Sequence, residues 1–266
     1  MKLKNIGTVM ISCATAFLLA SCGTTKCEQA GQYTLGGKLY TSAWIQRSAE
    51  YKALCLQAYN IATERIDNLT SKPHSKPLAI VTDIDETIVD NSPNCVHNAI
   101  KGEDYSSQSW HEWCAKGEAK LLEGAIAFFN HAAQKGVTVF YISNRDHKDR
   151  QGTLKNLQKL GFPFADEEHL VTRDNTSDKQ PRRDMVLKNY DIVMLLGDNL
   201  GDFESVFDSA NENVRNEAVK KFANQFGNKF IVLPNPNYGT WEKAMNGGYP
   251  SLKERDQKLF KELTTY

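Results

Sequence analysis

Three short polar segments carry the residues that could do chemistry. They are Asp83-Ile84-Asp85-Glu86-Thr87, Ser143-Asn144-Arg145 and Gly197-Asp198-Asn199-Leu200-Gly201-Asp202. Each follows an apolar run: Leu78-Ala79-Ile80-Val81, Val137 to Ile142, and Ile192 to Leu196. Asp83 and Asp85 lie two apart in extended chain, so they share a side while Ile84 faces the other way. Paired carboxylates repel, and neither is buried without compensation. A hard dication with oxygen ligands offsets that cost, and Mg²⁺ suits a site where phosphate also ligates. One Asp before a helix is an ordinary cap, but several acids at strand ends exceed what capping needs. An EF-hand is excluded: its sixth position would be Ile88, not Gly, and its twelfth Asn94, not Glu.

These segments need elements that bring them together. The apolar runs do not alternate, which predicts strands buried on both faces. Helical patterns separate them over Leu121 to Ala133, His147 to Leu160 and about 212–225, with Gly136 and Gly161 as stops. Leu170-Val171 and Phe230 to Leu233 read as further strands. Upstream, residues 42–68 read as one helix, with Trp44, Ala49, Leu54, Ala58 and Ile61 on a shared face. The alternation predicts an α/β fold, a parallel sheet with helices on both faces. Ligands then bind at the carboxyl ends of the strands, where the three segments sit. Residues 91–118 break the pattern and carry His97, Tyr105, Trp110, His111 and Trp113. An insertion there reads as a small cap over the site.

The 266 residues balance 32 basic against 32 acidic side chains, without the basic footprint of a nucleic-acid binder. A small-molecule partner is expected. Met1 to Lys4 is basic, Ile6 to Ala20 is apolar and too short to span a bilayer, and Leu19-Ala20-Ser21-Cys22 follows. Residues 1–21 therefore read as a signal peptide, and Cys22 resembles the lipidated cysteine of a bacterial lipobox. Gly23 in place of Asp points to the outer membrane. Residues 22–40 read as a tether and 41–266 as the domain. Removing Lys2 and Lys4 leaves 30 basic against 32 acidic residues. Cys27, Cys55, Cys95 and Cys114 then remain for disulfides, with three pairings open and Cys95–Cys114 favoured.

Asp83-Ile84-Asp85-Glu86-Thr87 with Asp90-Asn91-Ser92, then Ser143-Asn144-Arg145, Lys179, and Gly197 to Phe203, together resemble the haloacid dehalogenase (HAD) superfamily. Within it they are most similar to the class C acid phosphatases, the lipoprotein e(P4) group of 5′-nucleotidases. The resemblance runs from Trp44 to Trp241. It implies a HAD-like Rossmannoid sheet with a partly helical cap. It implies Asp83 as nucleophile forming an aspartyl-phosphate, and Asp85 as acid/base, with acidic pH favouring turnover. Ser143, Asn144 and Lys179 would hold the phosphoryl group, with Lys188 a weaker rival to Lys179, and Arg145 would help position phosphate. Asp83, the Asp85 carbonyl, Asp198 and Asp202 would hold Mg²⁺. Trp110 and Tyr238 stand where the family sandwiches a nucleobase. Trp110 could equally be the insertion's own small core, and Trp113 reads as core. The histidines show no metal or triad spacing.

The implied activity is hydrolysis of phosphomonoesters, 5′-nucleotides including nicotinamide mononucleotide, by a lipid-anchored enzyme. A homodimer is left open. Two rivals differ in class or breadth: a surface lipoprotein that binds haem or a host ligand, and a broad acid phosphatase without base preference. The intact Asp83, Asp85, Ser143, Lys179 and Asp198 set is superfluous for mere binding.

Overall fold

The computed structural model describes residues 31–266. Segment 1–21, Cys22 and Cys27 lie outside them. Two helices come first, α1 (Gln32–Arg47) and α2 (Ala49–Thr70). Strand β1 (Leu78–Thr82) leads to the short β2 (Val89–Asp90), then cap helices α3 (Ser92–Ile100) and α4 (Ser107–Lys116), and β3 (Lys120–Leu121). There follow α5 (Ala125–Gln134), β4 (Thr138–Asp146), α6 (Arg150–Leu160), β5 (Leu170–Arg173), α7 (Gln180–Leu187) and β6 (Asp191–Gly197). The chain closes with α8 (Glu212–Lys221), β7 (Phe230–Val232), α9 (Thr240–Asn246) and α10 (Leu252–Glu262). Among the described residues no helix is long and apolar enough to cross a membrane.

The main sheet is five-stranded and wholly parallel, in the order β5-β4-β1-β6-β7. This is the predicted α/β architecture. The strand order reverses at β1, which opens a crevice at its carboxyl end. Leu78, Ile80, Val139 and Tyr141 face a core shared with α2 and α5, while Ala79, Val81, Phe140 and Ile142 face a second core with Val186 and Phe203. A bulge in β6 sets Ala79 opposite Ile192 but Ile80 opposite Met194. Val193 and Met194 therefore both turn to the first core, and Ile192 and Leu195 to the second. β2 and β3 pair antiparallel at the neck of the cap.

Three expectations need correction. The helix read over 42–68 is broken at Ser48, whose ψ of 144° is extended and whose hydroxyl accepts from the Tyr51 amide at 3.1 Å. The break resets the register. The buried stripe of α2 is Tyr51, Cys55, Ala58, Tyr59, Ala62 and Ile66, while Leu54 is exposed. Residues 32–40, assigned to a tether, are instead the first half of α1, packed through Leu35 and Lys38. The favoured Cys95–Cys114 disulfide does not form, and Cys55, Cys95 and Cys114 are all free. The Cys114 thiol lies near the charges of Arg145, Asp85 and Asp149, whereas that of Cys95 lies near Glu86, Lys38 and Asp104, so the two face different surroundings.

The cap docks on α6 at Gly152. A Cβ there would fall 2.2 Å from the Cys114 carbonyl oxygen, so only glycine lets α4 approach this closely. Gly152→Ala should displace α4 and cost about 1–3 kcal/mol, read as a lowered urea midpoint with unchanged slope.

Candidate active site

β1 ends at Thr82, and the next residue, Asp83, is fixed by its amide donating to the Leu196 carbonyl of β6 at 2.9 Å. Asp198 follows directly on β6, and Asp202 ends a one-turn 3-10 helix, Leu200–Asp202. Carboxylate oxygens of Asp83, Asp198 and Asp202 lie within 4.8 Å of one another. Gly197 is required for this closeness, because a Cβ on it would meet Asp202 Oδ2 at 2.3 Å. Lys179, at the start of α7, reaches in from across the crevice. Its ammonium pairs with Asp83 Oδ1 and lies 2.7 Å from Asp202 Oδ1.

Charge accounting identifies what the cluster accepts. When all three are ionised, the carboxylates exceed the one ammonium by two negative charges, in a place where Asp83 is 7% exposed. Burial pushes the Asp83 carboxyl up to about 7, with Lys179 opposing and Asp202 and Asp85 adding to the rise. Burial, with Asp202 and Asp83, likewise holds Asp198 well above the usual carboxylate range. Burial alone would pull Lys179 down, but Asp202 and Asp83 overcome it and raise its value. Asp198 is aimed by two donors, Asn235 Nδ2 at 2.7 Å and the Thr87 hydroxyl at 3.2 Å. An all-oxygen set with this excess charge fits a hard dication.

Asp85 shares none of this cluster. Its carboxylate accepts from Arg145 Nη2 at 2.7 Å and Nε at 3.0 Å, from Asn91 Nδ2 at 2.8 Å and from the Ser143 hydroxyl at 3.4 Å. Arg145, expected at a phosphate, spends its guanidinium on Asp85 and, through Nη1, on the Thr153 hydroxyl at 3.0 Å. The physical reason is its depth: at 3% exposure the cation must be paired. The Trp110 ring lies against it, 5.6 Å from guanidinium carbon to ring centroid. Trp110 therefore sits at the edge of the site and not in an independent cap core. Trp113 packs on the main core as expected, and its indole N–H donates to Asn91 Oδ1 at 2.7 Å.

Ser143 lies inside β4, fully buried, and its hydroxyl accepts from the Arg145 amide at 3.1 Å. Asn144 is exposed, and its side chain bridges to the Ser177 carbonyl at 3.0 Å and to Arg182 Nη2 at 2.6 Å. Tyr238 is half-buried, and its hydroxyl donates to Glu86. Lys188, the rival to Lys179, caps the far end of α7.

Residue types alone missed several members. Glu86 is fully buried with φ of 53°, and it accepts from the Asn91 amide at 2.7 Å. Asn91 joins Glu86, Asp85 and Trp113. Arg182 holds the Ser143 carbonyl at 2.7 Å. Asn235, framed by Pro234 and Pro236, was the one with a signal: an amide in a stiff loop after the last strand. The histidines read as ordinary behave so, with one addition. His111 Nδ1 lies 2.8 Å from Asp149 Oδ1, with Asp146 nearby, which ties α4 to the segment following β4. Arg173 already neutralises Asp146 at 2.6 Å, so this second grouping lacks the excess charge of the first.

Comparison with known proteins agrees with this geometry. The family described as HAD superfamily, subfamily IIIB (acid phosphatase) matches residues 20–241. The class C acid phosphatase from Bacillus anthracis is 38% identical, covers 88% of this chain and 99% of its own, and superposes with a TM-score of 0.83. The same enzyme with tungstate bound gives 37% identity over the same shares of the two chains and a TM-score of 0.84. The Stem 31 kDa glycoprotein of Glycine max is 27% identical over 163 residues, 59% of this chain and 61% of that protein. The Stem 28 kDa glycoprotein of Glycine max is 25% identical over 186 residues. The chain thus spans about three fifths of the first of these plant relatives. With a family match over most of its length, the chain belongs to the HAD superfamily, subfamily IIIB, the acid phosphatase family.

Proposed function

We propose that the protein is a Mg²⁺-dependent acid phosphomonoesterase that acts through an aspartyl-phosphate on Asp83 and favours 5′-nucleotides. The observation that carries this reading is the convergence of Asp83, Asp198 and Asp202 under Lys179 at the carboxyl end of the sheet. Asp83, Asp198 and Asp202 would hold the dication, which supplies positive charge to the phosphoryl oxygens. Asp83 attacks phosphorus, and its bond to phosphorus forms as the ester oxygen leaves. Asp85 gives its proton to that oxygen and then takes one from the water that opens the acyl phosphate. Lys179 and the Ser143 hydroxyl stabilise the transferring group. Tungstate is a tetrahedral oxyanion like phosphate, and its binding to the Bacillus anthracis enzyme supports an oxyanion site in this family.

Arg145 enters as the partner of Asp85. It fixes where that carboxyl starts from, with Asn91 on its other side. Trp110, against the Arg145 guanidinium, and Tyr238, bonded to Glu86, would stack a nucleobase. The exclusive binding of haem or a host ligand is the weaker reading, because it leaves the buried charge cluster without a use. The basic and apolar N-terminus ending at Cys22 supports a lipid anchor and an outer-membrane location, and a role in freeing nucleosides for uptake follows from the chemistry. A homodimer stays compatible with it.

Asp83→Asn should abolish turnover while the circular dichroism spectrum and unfolding cooperativity persist; wild-type activity in that variant ends the aspartyl-phosphate mechanism. Chelation should also remove activity, and Mg²⁺ should restore it. Metal linkage to pH provides a separate check. The unfolded carboxyls titrate near about 4, so without a dication the native state holds more protons between about pH 4 and 7. The stability contributed by Asp83 is full below that window and is lost as pH rises through about 7. A dication needs the carboxylates ionised. The Mg²⁺-induced rise in Tm should therefore be small at about pH 5 and larger at about pH 7.5. An equal increment at both would remove these carboxylates from metal binding. Trp110→Ala should weaken nucleotide turnover by about 1–3 kcal/mol in kcat/KM and an aryl phosphate by less. Equal losses on both would end the stacking role.

A further inference from the structure

Glu86 is a carboxyl with no exposed surface, and among the described residues no Lys, Arg or His pairs with it at ion-pair distance. Such a group is costly to bury unless donors satisfy it. Three donors do. Oε1 accepts from the Asn91 amide at 2.7 Å, and Oε2 accepts from Asn91 Nδ2 at 3.3 Å and from the Tyr238 hydroxyl. Two of these are local, six residues or fewer from the acid. The third spans 152 positions and comes from the loop after β7. Glu86 can reach it because its backbone turns into the left-handed region, φ 53°, directly after Asp85. A left-handed glutamate is strained, so the surrounding contacts must hold it there.

The same loop is pinned at two further points. Asn235 donates to Asp198 at 2.7 Å. Asn237, 1% exposed, exchanges hydrogen bonds with α1: its Nδ2 donates to the Ser42 hydroxyl at 3.1 Å, and Lys38 Nζ donates to its carbonyl at 2.6 Å. Those two anchors hold the backbone of the loop. Among the described residues, the bond to Glu86 is the one hydrogen bond at the ring's far end. A tyrosine ring has two rotatable side-chain torsions, and tethering its hydroxyl removes most of their freedom before substrate arrives.

We propose that Glu86 is a positioning residue for substrate selectivity: by accepting the Tyr238 hydroxyl it locks the ring at the mouth of the crevice, in register with the segment that carries Asp83 and Asp85. This rests on the reading of Tyr238 as a nucleobase platform. The ring is then preorganised for a planar leaving group, while a phosphoester without a ring gains nothing from it.

The test compares kcat/KM for adenosine 5′-monophosphate with kcat/KM for glycerol phosphate, as a ratio, in the full-length protein with Mg²⁺. The ratio cancels any general loss of chemistry or folded fraction. Tyr238→Phe keeps the ring and deletes the tether, and should lower the ratio about five- to tenfold. Glu86→Leu should lower it by a similar factor, and the double variant should show no further loss in the ratio, since the Tyr238–Glu86 bond is the one both variants remove and the loss of the Asn91 bonds falls on both substrates alike. If Glu86→Leu fails to fold, Tyr238→Phe decides alone. A wild-type ratio in Tyr238→Phe overturns the proposal, as do losses that multiply in the double variant. Tyr238→Ala separates the causes of failure. If Ala lowers the ratio while Phe does not, the platform stands and the tether falls. If Ala also leaves the ratio unchanged, the platform reading falls, and the tether with it.

Discussion

Lys179 sits between two carboxylates that would otherwise repel, Asp83 and Asp202, just beyond the ends of β1 and β6. Much of the structure serves this contact. The ammonium arrives from α7 on one side of the crevice, and the acids arrive from β1 and from the turn after β6. Removing one partner from a buried pair costs about 3–5 kcal/mol, because the other is left uncompensated. Yet one lysine does not balance three acids. The remaining negative charge keeps the site receptive to a dication, and the burial that makes the carboxyls reluctant to ionise also makes a bound cation effective.

A second layer of polar contacts surrounds the first and divides the two aspartates of the first segment by environment. Asp83 belongs to the acidic cluster. Asp85, two residues on, belongs to Arg145, Asn91 and Ser143. Two identical side chains two residues apart thus receive different surroundings, one among acids and an ammonium, the other against a guanidinium. Asn91 joins this layer to the cap, since its amide oxygen accepts from Trp113 while its nitrogen serves Asp85 and Glu86. Gly152 and the His111–Asp149 contact fasten the cap's other helix to the sheet side.

The strands were legible because a parallel sheet covered on both faces demands uninterrupted apolar runs, and Ile80, Phe140 and Leu195 lie in such runs. Helix stops were legible where glycine adopts the left-handed turn, as at Gly161 with φ of 79°. The break at Ser48 was not, because a serine that caps one helix reads equally well as a polar residue on the face of a longer one. Residues 32–40 read as part of a tether, although Leu35 and Lys38 are buried there, Lys38 by a contact with the distant Asn237. The cysteine pairing failed for a related reason. Proximity in sequence says nothing about which way two thiols point.

Sequence by itself determined the class of fold and the end of the sheet at which Asp83, Asp85 and Asp198 emerge, because uninterrupted apolar runs mark where buried strands stop; Lys179 was marked only by the family resemblance. Tertiary structure alone decided who pairs with whom. That Arg145 serves Asp85, that Tyr238 is tied to Glu86, and that Asn235 aims Asp198 depend on side chains meeting across 60, 152 and 37 positions of chain. Local propensity carries no information over such separations. Only packing, and the need of every buried polar group for a partner, selects those pairs.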